Sequence, residues 1–87
     1  MHEAALMQSL MRRIDEIARA ERARRIVGVS VWLGALSHMS AAHFTTHFEQ
    51  ASTGTLAEGA RVEVMVSDDL HDVHAQDLLL KSVDVES

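Results

Sequence analysis

The apolar residues of the first twenty positions fall on a helical stripe. Leu6, Met7, Leu10, Met11, Ile14, Ile17 and Ala18 recur at helical spacing, with Gln8, Arg12, Arg13, Asp15, Glu16 and Arg19 mostly between them, which predicts an amphipathic helix over about residues 3–21. From Arg25 the period changes to two: β-branched residues alternate through Leu33. This predicts a strand with Val27, Val29, Val31 and Leu33 facing the core and Ile26, Gly28, Ser30 and Trp32 on the other face. Gly34-Ala35-Leu36-Ser37 reads as a turn, and Ser37 or Ser40 can cap a second helix over 40–52 whose apolar stripe is Ala41, Phe44, Phe48 and Ala51. Gly54 and Gly59 bracket a loop, after which Val62, Val64 and Val66 alternate with Glu63, Met65 and Ser67 in a second strand. Residues 67–77 are polar and aperiodic, a loop. Leu78 to Glu86 is strand-like, but Leu78 and Leu80 have one parity and Val83 and Val85 the other, so a β-bulge near Lys81-Ser82 is expected to bring both pairs to the core. The order helix, strand, helix, strand, strand predicts an α+β fold: a single small domain, residues 1–87, with two helices packed on one face of a three-stranded sheet.

Size and composition narrow the function. A chain of 87 residues buries only roughly 60–65% of its unfolded surface, so every element shares one thin core. With 47% hydrophobic and 24% charged residues the chain is globular, and its net charge of -5 opposes a nucleic-acid partner. The absence of cysteine removes disulfides, thiolate zinc sites and thiol nucleophiles together. No signal-peptide run and no bilayer-spanning stretch is present, so a cytoplasmic protein without a membrane partner is expected. No nucleophile elbow surrounds any serine and no glycine-rich phosphate loop occurs, so no enzymatic activity and no catalytic residues are expected.

Candidate chemistry concentrates at the start. In Met1-His2-Glu3, the terminal amine, the amide and imidazole of His2 and a donor from Glu3 can enclose one metal in fused chelate rings, a nitrogen-rich set suited to Ni(II) or Cu(II). The claw needs a free amine on Met1, and retention of that methionine is expected because histidine is a large second residue. A free ammonium at a helix N-terminus is electrostatically unfavourable, and metal binding with loss of the proton relieves that conflict. Five further histidines need accounts. His43 and His47 stand at i, i+4, a metal-binding spacing, yet each precedes a core phenylalanine and reads as structural or solvated. His71 and His74 lie among Asp68, Asp69, Asp72 and Asp77, a cluster that reads as a solvated acidic turn or as a source of an extra metal ligand. His38 has no evident partner, and Met7 and Met11 read as core.

Four blocks in order resemble the HypA/HybF family of nickel-insertion proteins for NiFe hydrogenase maturation: Met1-His2-Glu3 with Gln8-Ser9, Val31 to Ser37, Gly54 to Ala60, and Leu80 to Glu86. The resemblance implies a nickel-binding domain and a metallochaperone that takes Ni(II) at Met1, His2 and Glu3 as transient cargo. Its implied partners are a HypB-type GTPase and the hydrogenase large-subunit precursor, with urease maturation proteins left open. Members usually carry two Cys-x-x-Cys pairs holding zinc in a hairpin between the last two strands. This chain has only the loop 67–77 there, so no zinc is expected. The alternative is an adaptor module of the maturation complex that works without metal.

Overall fold

The computed structural model describes the backbone from His2 to Ser87 and the side chains from Ala4 onward; Met1 and the side chains of His2 and Glu3 lie outside the described residues. The elements run α1 (His2–Ala20), β1 (Arg25–Leu33), α2 (Ala41–Ser52), β2 (Arg61–Val66) and β3 (Leu78–Glu86). They form the expected α+β architecture, with helix and strand bounds within a residue or two of the pattern-based ones.

Each helix is held by one apolar row. α1 buries Met7, Leu10, Ile14 and Ala18, with Leu6 and Met11 packed at the margin of the core. α2 is started by Ser40, whose Oγ accepts the His43 N–H at 3.1 Å, satisfying one of the amides that a helix N-terminus leaves without an intrahelical partner. Phe44 and Phe48 are 0% and 1% exposed, with ring centroids 5.9 Å apart. Ala41 and Ala51, expected on the same stripe, are exposed. The buried row follows i, i+4 steps through Phe44, Phe48 and Ser52, which leaves the two alanines off to its side.

The sheet has the order β2-β1-β3, with β2 parallel and β3 antiparallel to the central β1. The expected bulge is present: Ser30 pairs with Ser82 and Val31 with Leu80, which leaves Lys81 as the additional residue. Leu78, Leu80, Val83 and Val85 therefore share the core face. A second irregularity corrects the reading of β1. Ile26 pairs with Val85 and Gly28 with Asp84, so Val27 is the additional residue on the central strand. Ile26, expected on the outer face, joins Val29, Val31 and Leu33 in the core at 1% exposure, and Val27 leaves that row. On the outer face Arg61 Nη2 lies 2.8 Å from Asp84 Oδ2, reaching across β1 over Gly28, where an added Cβ would come within 2.7 Å of the guanidinium.

Both helices run opposite to β1. The first half of α1 meets Leu78 to Leu80, which pair with the last residues of β1, while Met11, Ile14, Asp15 and Ala18 face Ile26 at its beginning. α2 starts beyond the end of β1 and returns until Ala51 lines the same apolar pocket, of about 150 Å³, as Ile26 and Ala57. The N-termini of α1 and α2 thus lie at the end of the molecule where β1 finishes.

Candidate metal-binding end

Polar side chains sort by that geometry. The turn 34–40, the start of α2 and the segment 67–77 join α1's N-terminus at the end where β1 finishes, so the five histidines whose side chains are described lie towards it. Arg19, Arg22, Arg24, Arg25 and Arg61 lie towards the opposite end, where Arg25 pairs with Glu86 at 3.1 Å and Arg19 with Asp15 at 2.9 Å. These pairs are solvent-exposed and contribute little to stability. Arg19 also places a cation in the last turn of α1, where the helix dipole favours one.

The segment 67–77 is seated against the turn after β1. Gly34 N–H donates to the Asp77 carbonyl at 2.9 Å and Leu36 N–H to the Ala75 carbonyl at 2.6 Å. A Cβ on Gly34 would overlap the backbone of His74 and Ala75, so glycine is what allows the two segments to touch. Within the segment the acidic side chains organise the turn: Asp69 Oδ1 accepts the His71 N–H at 2.9 Å, Asp72 Oδ1 accepts the His74 N–H at 2.7 Å, and Asp77 Oδ2 lies 2.8 Å from His74 Nδ1. Asp69 and Asp72 thus hold backbone amides of the turn, and Asp77 holds the His74 ring. Leu36, Leu70 and Val73 stand exposed beside them, Val73 at 91%. Ser37, the other cap candidate, is buried with its hydroxyl unpartnered among the described residues, and His38 holds a left-handed φ of 64°.

Met1, and the side chains of His2 and Glu3, on which the nickel reading depends, lie outside the described residues. His71 and His74 are exposed. Among the described residues no group of three His, Cys, Asp or Glu side chains is placed to hold a metal ion. His43 and His47 project from the flank of α2, His43 exposed and His47 half-buried, with their rings stacked at a centroid separation of 4.4 Å. Met7 is in the core and Met11 packs against it. The gathering of the histidines at one end was not readable from spacing alone, because it depends on both helices running against β1. Among the described residues no helix is long and apolar enough to cross a membrane.

Comparison with known proteins places this arrangement. Residues 1–71 match the family model described as hydrogenase/urease nickel incorporation, metallochaperone, HypA. The hydrogenase maturation factor HypA of Klebsiella pneumoniae subsp. pneumoniae is 39% identical over 64 residues, covering 74% of this chain and 56% of the relative. That of Archaeoglobus fulgidus is 32% identical over 66 residues, covering 76% and 60%. The chain thus matches somewhat over half the length of these curated relatives. The fold is similar to the solution structure of the Ni metallochaperone HypA from Helicobacter pylori, with a TM-score of 0.75 at 16% identity over 95% of this chain and 96% of that one. A second solution structure of a HypA protein gives 0.72 at 20% identity, over 98% of this chain and 96% of that one. At such identities the structures speak to the fold, and the family model, covering most of the chain, speaks to descent: this protein belongs to the HypA family of hydrogenase/urease nickel incorporation metallochaperones.

Proposed function

We propose that this protein is a nickel metallochaperone, acting in the cytoplasm, that takes Ni(II) at its N-terminus and delivers it during maturation of NiFe hydrogenase. The observation that carries the reading is the family match from residue 1 together with a helix that begins at His2. The first amides of a helix have no intrahelical acceptor, so the amide nitrogens of His2 and Glu3 can lose their protons to a metal without breaking a helical hydrogen bond. The terminal amine of Met1, the amide and imidazole of His2 and a donor from Glu3 then complete a square of nitrogen and oxygen ligands suited to Ni(II). A site at a chain end is open to ligand exchange with a receiving protein.

The chain serves as the nickel-binding domain, with 67–77 in place of the family's zinc hairpin, and we assign it no reaction of its own and no zinc. His71 and His74 are secondary donors at the same end, His74 only after releasing Asp77 or through its other ring nitrogen. The receiving partners are a HypB-type GTPase and the hydrogenase large-subunit precursor, with urease maturation proteins as a further class. The exposed Leu36, Leu70 and Val73 give such a partner an apolar footing towards the same end of the molecule.

Nickel titration of untagged protein tests the reading. The native terminus is expected to bind one Ni(II) at the claw, with affinity rising with pH because the imidazole, amine and amide donors bind only after losing their protons. His2→Ala and a Gly-Ser extension before Met1 are each expected to abolish the claw's square-planar spectrum, while H71A/H74A weakens binding modestly. Equal binding and equal spectra for the native, H2A and extended forms would sink the reading. A protein that binds no nickel yet captures the GTPase would instead be the metal-independent adaptor, a role that the lack of a cysteine hairpin favours.

A further inference from the structure

The sheet ends in two edges that differ in how they meet solvent. β3 carries the bulge at Lys81, an exposed lysine that interrupts its ladder, and bulges and lysines are what keep an edge from recruiting another strand. β2 has neither: its register with β1 is continuous from Arg61 to Val66, and no strand pairs with its other side among the described residues. One bond shows which groups face that side. The Ser67 N–H donates to the Leu33 carbonyl at 2.9 Å, and in a parallel ladder residues alternate between bonding the neighbour and turning away from it. Glu63 and Met65 therefore bond β1, while Val62, Val64 and Val66 turn both N–H and C=O to the open side. Their side chains share one face of the sheet. Val62 and Val64 pack half-buried against the core, and Val66 is 49% exposed.

We infer that the open edge of β2 pairs antiparallel with β2 of a second copy of this chain, about a two-fold axis through Val64. In that register Val64 opposes Val64 and Val62 opposes Val66, so all three outward-facing residues of each strand exchange their N–H and C=O groups. The valine row is symmetric about Val64, as an isologous contact requires, and β-branched residues directly opposite one another stabilise a pair of strands. Neighbouring registers are worse. An axis at Glu63 sets that carboxylate against itself, and an axis at Val62 pairs Val64 with Ala60, whose N–H is already given to the Ala57 carbonyl at 3.0 Å. An axis beyond Val64 carries Val62 off the end of the strand. The pairing places the helices of both copies on one side of a continuous sheet. It also points their histidine ends in opposite directions, so each N-terminus stays open. The contact is roughly 20 Å long and falls short of the roughly 1,200 Å² at which stable complexes begin. Two chains of net charge -5 also repel one another, so the pair forms only at high protein concentration and tightens as salt screens the repulsion.

The test uses untagged full chain kept free of metal, so that its outcome is independent of the nickel reading. Sedimentation velocity from dilute to concentrated solution is expected to show a monomer passing into a dimer, at lower concentration when salt is added. Amide hydrogen exchange followed by NMR locates the contact. The Val62, Val64 and Val66 amides should gain protection as the dimer forms, whereas those of Glu63 and Met65, bonded to β1, are protected throughout. Val64→Pro removes an N–H that β1 does not use, which an edge strand tolerates, and Val66→Lys puts a charge at an exposed position. Each is expected to weaken association at least about tenfold, because the two-fold doubles every lost bond. Far-UV circular dichroism verifies that both variants fold, and the lysine variant alone decides the matter if the proline variant does not. A monomer at every concentration, a dimer that leaves the three valine amides unchanged, or one indifferent to Val66→Lys overturns the pairing. Protection of those amides only on adding the GTPase would assign the edge to that partner and equally overturn it.

Discussion

Two glycines on β1 and its following turn show how differently one missing Cβ can matter. At Gly28 the atoms in the way are the far ends of Arg61 and Asp84, two exposed side chains that can swing aside. At Gly34 they are backbone atoms of His74 and Ala75, which cannot. Gly28→Ala is therefore expected to lose only the surface ion pair and to shift stability by no more than about 1 kcal/mol. Gly34→Ala must push the 67–77 segment off the turn and is expected to cost about 1–3 kcal/mol, as overpacking does elsewhere. Urea denaturation of both variants checks the contrast, and equal losses would show that the segment is not seated on Gly34 as described.

At the scale of elements, the two bulges decide which side of the sheet each residue serves. Lys81 is additional to a ladder that is otherwise regular, with Leu80 opposite Val31, Ser82 opposite Ser30 and Val83 opposite Val29. Deleting Lys81 keeps all those pairs and is expected to leave the midpoint of thermal unfolding nearly unchanged. Deleting Val83 instead slides Asp84 opposite Val29 and Val85 opposite Gly28, which puts a carboxylate on the core face and a valine outside it. A loss of about 2 kcal/mol or more follows, and comparable unfolding midpoints for the two deletions would refute the assignment of Lys81 as the additional residue. The β3 bulge could be read from the sequence because two apolar pairs of opposite parity, Leu78 with Leu80 and Val83 with Val85, cannot share a face otherwise. The β1 bulge could not, since Val27 and Ile26 are equally apolar and either parity gives a plausible core. Which of them is buried is settled by β3, through the pairing of Ile26 with Val85, and a cross-strand partner leaves no mark on β1's own pattern. The caps followed the same logic. Ser37 and Ser40 are alike as sequence, and only the direction of the chain entering α2 selects Ser40.

For the whole molecule, the consequence of two helices running against the central strand is a separation of chemistry into ends. The described histidines and the acidic turn gather where β1 finishes, and most of the arginines gather where it begins, several of them paired with carboxylates, so imidazole nitrogen is offered towards one end. A nickel ion bound at the N-terminus, with or without a donor from the 67–77 segment, should therefore disturb only one half of the protein. Titration of Ni(II) into isotopically labelled native protein is expected to shift or broaden backbone amides in the first turns of α1, in residues 36–48 and in residues 69–77. Amides of residues 19–28 and 55–61 should be unaffected at the same metal ratio. Perturbation that begins among residues 19–28, or spreads evenly along the chain at the lowest ratio, would mean that the metal does not choose the histidine end. The polarity of the fold would then have no bearing on the cargo.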